Sequence, residues 1–150
     1  MSLRIPPIVQ LLVCAVLAWA LAKFTPQLAF GAPFWVYAGY GLVAAGIFLL
    51  ALALLAFARA GTTVNPLVPE QAETLVTTGL YRFTRNPMYL AMALILIGGA
   101  LSLSNIAALA APTIFVSAMT VLQIKPEERA LQSVFGDAFT AYRERTRRWL

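Results

Sequence analysis

The chain has no histidine and a single cysteine, Cys14, so two common sources of enzyme chemistry are missing. Without histidine there is no imidazole base, no Ser-His-Asp arrangement and none of the usual zinc or iron ligand sets. One cysteine also cannot form an internal disulfide. Because no Cys/His cluster and no EF-hand-like acidic loop occurs in the sequence, we expect no bound metal.

Charged residues are scarce as well. They make up 11% of the 150 residues, whereas 61% are hydrophobic, and roughly a quarter of an average soluble domain is charged. This composition predicts an integral membrane protein with one domain, residues 1–150. Much of the net charge of +5 lies near the end of the sequence, in Arg143, Arg145, Arg147 and Arg148. Beside apolar segments, such a run indicates contact with anionic membrane lipids rather than with nucleic acid.

Four apolar stretches are long enough to suggest membrane spans, since a bilayer core needs about 20 helical residues. We predict an all-α integral membrane fold with four transmembrane helices, a cytoplasmic loop and a C-terminal interfacial helical segment. The predicted spans and tail cover residues 8–24, 34–58, 87–103, 106–124 and 125–150. Only Ser104 and Asn105 separate the last two spans, which predicts a tight antiparallel hairpin.

The first span could instead be a signal peptide, because Arg4 precedes an apolar stretch that contains small residues. Trp19 and Lys23 resemble interfacial anchors, however, and favour a retained helix. Basic residues concentrate in the central loop and the tail, whereas Lys23 stands alone on the opposite side. The positive-inside rule therefore predicts a cytoplasmic N-terminus, central loop and C-terminus. We expect the membrane to be the bacterial inner membrane.

The central loop, residues 59–86, is long for a simple connector. Its prolines, Pro66 and Pro69, favour turns or extended backbone, and its apolar residues suggest an ordered loop on the membrane face. These residues are Leu75, Val76, Leu80, Tyr81 and Phe83. The loop ends at Asn86 and Pro87, a preferred N-cap followed by a preferred first helical residue. We therefore predict that the third helix begins here.

The N-terminus of this predicted helix is a candidate anion site, because it offers free N–H groups and Arg85 lies beside it. The alternative is that Asn86 only caps the helix, Arg85 reaches lipid headgroups and Tyr89 belongs to an interfacial aromatic belt. Across the hairpin lie Glu127 and Glu128. These carboxylates could simply occupy a new first turn after a helix break at Pro126. They could also bind an ammonium group, in which case the two sides together would suit a zwitterion such as an amino-acid moiety.

Apolar residues recur at helical spacing in the tail, with a predicted break at Gly136 and Asp137. They are Leu131, Val134, Phe135, Ala138, Phe139 and Tyr142. An apolar stripe with an arginine-rich flank is typical of a helix on a membrane surface. Such a helix would serve either as an anchor or as a lid over the site.

The segments LVTTGLYRFTRNPMY, PEER and FGDAFTAYRERTRRW together resemble the membrane-embedded methyltransferases. This group includes isoprenylcysteine carboxyl methyltransferases, phosphatidylethanolamine N-methyltransferases and their small bacterial relatives, and the resemblance covers about residues 61–150. It implies S-adenosylmethionine as the cofactor and S-adenosylhomocysteine as the product. The positions that match the cofactor pocket are Tyr81, Arg85, Asn86, Pro87, Tyr89, Glu127 and Glu128.

The same resemblance implies methyl transfer to a lipidic or small hydrophobic acceptor that presents a carboxylate, an amine or a thiol. Glu127 and Glu128 are the candidates for a catalytic role, since an ammonium acceptor must lose a proton. Asn86 stands where the carboxyl methyltransferases typically have histidine, and an asparagine cannot act as an acid or base. The alternatives are an NADPH-dependent reductase of the sterol-reductase type and a non-enzymatic membrane scaffold or transport subunit. The methyl acceptor and the oligomeric state remain open.

Overall fold

A computed structural model of the protein describes residues 5–60 and 75–150. Residues 1–4 and 61–74, which include Arg4, Pro66 and Pro69, lie outside this part. The described segments are helical apart from their connections and one isolated bridge between Ala29 and Asn105. The predicted all-α class is confirmed. The five helices of the described part are α1 (Pro7–Phe24), α2 (Pro33–Ala60), α3 (Pro87–Ser102), α4 (Ala107–Phe135) and α5 (Asp137–Arg145).

Proline marks the beginning of the first three helices, which start with Pro7, Pro33 and Pro87. The fixed φ of proline suits the first helical position, where its missing N–H costs no intrahelical hydrogen bond. Two short 3₁₀ turns, Pro26–Leu28 and Gly79–Arg82, lie in the connections. The predicted limits of the four apolar stretches agree with the observed helix limits to within one or two residues, except at the end of α4.

Among the described residues, three helices are long and apolar enough to cross a membrane, namely α1, α2 and α4. The fourth apolar helix, α3, has 16 residues, which is roughly 24 Å at the α-helical rise and less than a bilayer core of about 30 Å. Every residue of α3 is buried or half-buried. It lies at the centre of the bundle, with α2 on one side and α1 and α4 on the other. The count of four spans remains a prediction.

Glycines allow α2 and α3 to pack with almost no space between their backbones. A Cβ built on Gly98 would lie 2.5 Å from the carbonyl oxygen of Gly39 and 2.8 Å from the backbone nitrogen of Val43. A Cβ on Gly46 would lie 2.9 Å from the carbonyl oxygen of Ala91. Small residues at a membrane helix interface permit this close approach and its dispersion gain. This close contact between α2 and α3 at Gly39, Gly46 and Gly98, the glycine seam, fixes the position of α3. The N-terminus of α3 carries the candidate site.

On its other side, α3 shares an apolar core with α1 and α4. The fully buried Phe115 and Met119 of α4 lie in this core with Leu96 of α3. At the end of the bundle remote from the candidate site, Asn105 ties the two connections together. Its side-chain amide donates to the carbonyl oxygen of Thr25 at 2.8 Å, and its side-chain oxygen accepts from the backbone N–H of Ala107 at 2.8 Å. The predicted tight turn at Ser104 and Asn105 is therefore present and is anchored to α1.

Helix α4 continues to Phe135, beyond the predicted end of the fourth span near residue 124. The helix break at Pro126, which was one of the two interpretations of the acidic pair, is therefore absent. The turn before the proline, Met119–Ile124, is a π-helix. In a regular α-helix the proline ring would clash with the carbonyl group four residues earlier, and a widened turn relieves that contact. Glu127 and Glu128 consequently lie within a continuous helix rather than in a new first turn.

The tail beyond α4 turns back at Gly136, which has a φ of 50°, and this confirms the predicted break. Phe139 and Tyr142 of α5 are buried against Tyr81, so the apolar stripe covers the loop that precedes α3. Val134 is exposed at 42% and Phe83 at 73%, so neither joins this cluster. Successive residues of a 3₁₀ turn lie about 120° apart, which places Tyr81 inside and Phe83 outside.

The glycine seam predicts that Gly98→Ala lowers the thermal stability of the protein in detergent. The added methyl group meets backbone atoms that cannot move separately from their helix, and such overpacking typically costs about 1–3 kcal/mol. The matched control is Gly99→Ala, because a Cβ on this adjacent glycine meets nothing within 4 Å. Equal melting temperatures for the two variants would contradict the close packing of α2 against α3.

Candidate functional site

The loop before α3 forms a compact turn, residues 79–86, that presents the predicted site residues. Gly79 has a φ of 60°, which favours glycine, and it opens the 3₁₀ turn that buries Tyr81. The hydroxyl group of Tyr142 donates to the carbonyl oxygen of Tyr81 at 2.7 Å. Helix α5 therefore holds the turn in place through a buried hydrogen bond as well as through apolar contact.

Asn86 occupies the N-cap position of α3, as predicted, but its side chain does not cap the helix. The side-chain amide instead donates to the carbonyl oxygen of Arg148 at 2.9 Å. The backbone N–H of Asn86 donates to the hydroxyl oxygen of Thr84 at 3.1 Å. The expected capping role of Asn86 is therefore wrong, because a later segment of the chain competes for its amide.

That later segment is a strap, residues 146–149, which lies across the turn. The backbone N–H of Arg85 donates to the carbonyl oxygen of Arg147 at 2.9 Å, and the hydroxyl group of Thr84 donates to the carbonyl oxygen of Arg148 at 3.3 Å. The indole N–H of Trp149 donates to the hydroxyl oxygen of Thr120 on α4 at 3.1 Å. The strap thus joins the beginning of α3 to the π-helical turn of α4.

Glu128 lies under the strap and is 9% exposed. Its Oε1 accepts from Nη2 of Arg85 at 2.7 Å and from Nε of Arg148 at 3.0 Å, and its Oε2 accepts from Nη2 of Arg148 at 2.6 Å. The second pair is the bidentate geometry that makes arginine–carboxylate contacts strong. Three charge-assisted hydrogen bonds therefore satisfy this nearly buried carboxylate.

Of the two arginines that bind Glu128, Arg85 is the more buried: 10% of its side chain is exposed, against 32% for Arg148. It also donates through Nη1 to the carbonyl oxygens of Arg143 and Thr146. Its Nε is buried and finds no hydrogen-bond partner among the residues that the structure describes. This N–H group is therefore a hydrogen-bond donor without an acceptor in the described part of the chain.

Glu127 lies one residue away, and two neutral side chains are among its partners. Its Oε1 accepts from the hydroxyl group of Tyr89 at 2.7 Å and from the side-chain amide of Gln123. Gln123 is 1% exposed and was not predicted from the sequence, because it lies inside an apolar stretch. The only available signal was its position four residues before Glu127, which places both on one face of a helix.

The pKa values of three polar side chains near the turn and the strap are shifted by their surroundings. Burial raises the pKa of Tyr81 well above its usual value and raises the pKa of Tyr142 to about 12. Hydrogen bonds to Glu128 raise the pKa of Arg148. Both tyrosines are therefore neutral hydrogen-bond donors at physiological pH, and Arg148 is a permanent cation.

The structure brings the predicted site residues to the same end of the bundle. Tyr81, Arg85, Asn86 and Pro87 lie in the turn and at the start of α3, Tyr89 lies in its first turn, and Glu127 and Glu128 face them from α4. The arrangement differs from expectation in one respect. Arg85 and Glu128, predicted as two halves of a site for a zwitterion, bind each other, and Arg148 completes the pair.

Comparison with known sequences gives the family. The sequence profile of the phospholipid methyltransferase family matches residues 34–138, which include α2, α3, α4 and both glutamates. The chain therefore belongs to the phospholipid methyltransferase family, and the resemblance seen in the sequence motifs is confirmed. Together with its apolar helices, this membership makes it an integral membrane protein of a methyltransferase family.

One relative adds to this comparison without naming an activity. An uncharacterized protein of Haemophilus influenzae is 41% identical over 63 residues, which is 42% of this chain and the whole of the relative. No solved structure matches the chain significantly.

The contact between Tyr142 and the turn predicts that Tyr142→Phe lowers the free energy of unfolding by about 1 kcal/mol, the typical net value of a hydrogen bond. A buried carbonyl group loses its donor while the apolar packing remains. Thermal unfolding in detergent would measure the change. Tyr37→Phe is the control, since Tyr37 is 72% exposed, and an equal effect of both substitutions would contradict the prediction.

Proposed function

We propose that the protein transfers a methyl group from S-adenosylmethionine to a lipidic or small hydrophobic acceptor at the membrane surface. Family membership supports methyl transfer, and the pair of acids facing an arginine and a helix N-terminus supports this cofactor. The observation that carries the proposal is the convergence of Arg85, Tyr89, Glu127 and Glu128 at one end of α3 and α4.

The side of the site near α3 fits a carboxylate. The first turn of a helix has N–H groups with no intrahelical acceptor and a positive dipole end. Arg85 adds the buried Nε that lacks a partner among the described residues. This nitrogen has almost no exposed surface, so a ligand carboxylate would satisfy it only after the residues around it moved apart. Arg85, Asn86 and Pro87 are therefore proposed to hold the carboxylate end of the cofactor.

The side of the site on α4 fits an ammonium group. Glu127 and Glu128 are adjacent, and both project toward the start of α3, as their bonds to Tyr89 and Arg85 show. A carboxylate at the membrane boundary gives an ammonium a charge-assisted partner in a medium of low dielectric constant. Tyr81 and Tyr89 are proposed to line the bound cofactor between the two sides.

The cofactor would supply an electrophilic sulfonium methyl group, so the protein has mainly to align the acceptor and exclude water. If the acceptor is an ammonium, a residue must remove its proton. Glu128 is stabilised as an anion by two arginines, whereas Glu127 accepts hydrogen bonds from the neutral Tyr89 and Gln123. Because the two arginines hold Glu128, Glu127, which contacts Tyr89 in the first turn of α3, is the proposed base. Asn86, which donates to a carbonyl oxygen, is assigned no acid–base role.

The alternatives receive no support from the family match. An NADPH-dependent reductase or a membrane scaffold would not require an acidic pair opposite a helix N-terminus. The proposed location is the bacterial inner membrane, with both termini and the central loop on the cytoplasmic side. In this orientation the water-soluble cofactor reaches the site from the cytoplasm and a lipidic acceptor reaches it from the bilayer.

Isothermal titration with S-adenosylhomocysteine in detergent tests the cofactor assignment, and we expect binding with one site per chain. Glu128→Gln should weaken it by about 1–3 kcal/mol, because the ammonium loses a charged partner. Arg85→Ala should weaken it similarly at the carboxylate end. The control is Glu144→Gln, an exposed acid on α5. Absence of binding to the unaltered protein would reject the proposed function.

The acceptor can be identified by incubating the protein with methyl-labelled S-adenosylmethionine and a bacterial lipid extract. We expect label in a lipidic product. If the acceptor is an amine, Glu127→Gln should lower kcat roughly 100-fold, the typical size of general-base assistance, and raising the pH should partly restore it because more acceptor is then deprotonated. A pH-independent defect would contradict the base assignment while leaving methyl transfer intact.

A further inference from the structure

Arg148 places a cation on the carboxylate to which the proposed function assigns a ligand ammonium. Its guanidinium binds both oxygens of Glu128, with distances of 3.0 Å and 2.6 Å. The acidic side of the site is therefore already filled by the protein itself. A ligand that uses Glu128 must take the place of this internal cation, because the carboxylate is 9% exposed and has little surface left.

The two arginines on Glu128 are not equally fixed. Arg85 is 10% exposed and is also bonded to the carbonyl oxygens of Arg143 and Thr146. Arg148 is 32% exposed and directs its hydrogen bonds to Glu128 from the solvent side. The more exposed guanidinium group keeps more of its hydration in the pair, so it returns to water at a lower cost than the buried Arg85 would. Arg148 is thus the partner that a competing cation can replace.

The position of Arg148 in the sequence separates it from the rest of the site. The family match ends at residue 138, whereas the strap begins at residue 146. The helix N-terminus, Arg85 and the two glutamates all lie within the matched region. Arg148 therefore lies beyond the residues that the family profile matches.

We propose that Arg148 is an internal counter-ion for Glu128 and that an amino-acid ligand displaces it and so loosens the strap. This inference rests on the proposed function, since the ligand concerned is the cofactor or its product. Binding then exchanges one cation for another on Glu128. The hydrogen bonds of Arg148 and Trp149 to the turn and to Thr120 are the contacts that weaken with this exchange.

The first test is the affinity for S-adenosylhomocysteine measured by titration calorimetry. Arg148→Ala should tighten binding about fivefold, which is about 1 kcal/mol, because the half-buried arginine no longer competes with the ligand ammonium for Glu128. Arg148→Lys retains the charge without the bidentate geometry and should fall between. Arg147→Ala is the matched control, since this exposed neighbour uses its backbone carbonyl group in the strap. Unchanged or weaker binding in both Arg148 variants would overturn the proposal.

An analogue of S-adenosylhomocysteine that lacks the amino group identifies the competing charge. It has no cation for Glu128, so its affinity should be the same for the unaltered protein and Arg148→Ala. An equal gain for both ligands would mean that the arginine blocks the site by its bulk and would overturn the exchange of cations. If neither ligand binds any variant, the proposed function fails, whereas binding without an Arg148 effect rejects this inference alone.

The second test follows the strap directly. With Trp19→Phe and Trp35→Phe, both at exposed positions, the fluorescence of the chain comes from Trp149. Arg148→Ala should make Trp149 easier to quench with acrylamide in the absence of ligand, and S-adenosylhomocysteine should do the same in the chain with Arg148 intact. Quenching that S-adenosylhomocysteine leaves unchanged would overturn the release of the strap.

Discussion

The carboxylate of Glu128 is the constraint on which the candidate site depends. A nearly buried anion is stable only when its hydrogen bonds are satisfied, and removing one partner of such a pair is far more costly than an exposed pair is worth. Arg85 comes from the turn before α3 and Arg148 from the strap. One side chain therefore brings together three segments that are distant in the sequence, and the position of each depends on the others.

The π-helical turn, Met119–Ile124, determines which residues of α4 face this site. Phe115, Met119, Gln123 and Glu127 all point inward although they are spaced by four residues. In a regular helix each such step drifts about 40° around the axis, so three steps would turn the face away. The wider turn absorbs this drift and also accommodates the ring of Pro126. The apolar core of the bundle and its polar end thus belong to one continuous helix face.

Helix limits could be predicted because prolines and apolar runs act locally, and the residues of the candidate site could be named because their motifs resemble those of the family. The pairing of Arg148 with Glu128 could not be predicted from the sequence. Arg143, Arg145, Arg147 and Arg148 look alike in the sequence, and only the turn at Gly136 and the packing of Tyr142 on Tyr81 decide which one reaches the acid. Gln123 was not predicted because it is a single polar residue within an apolar stretch. Its partner, Glu127, lies one helical turn further along.

Charge balance restricts what the site can accept. Arg85 and Arg148 both bind Glu128, and Glu127 lies next to it, so groups of both signs are already close together before any ligand binds. A ligand with a single charge would leave one of these groups without a partner in a medium of low dielectric constant, which is costly. A zwitterion brings one charge of each sign: its ammonium group can take the place of Arg148 on Glu128, and its carboxylate can pair with Arg85. Under the proposed function, these charged side chains favour an amino-acid moiety, each of whose charges finds a partner, over a simple anion or cation.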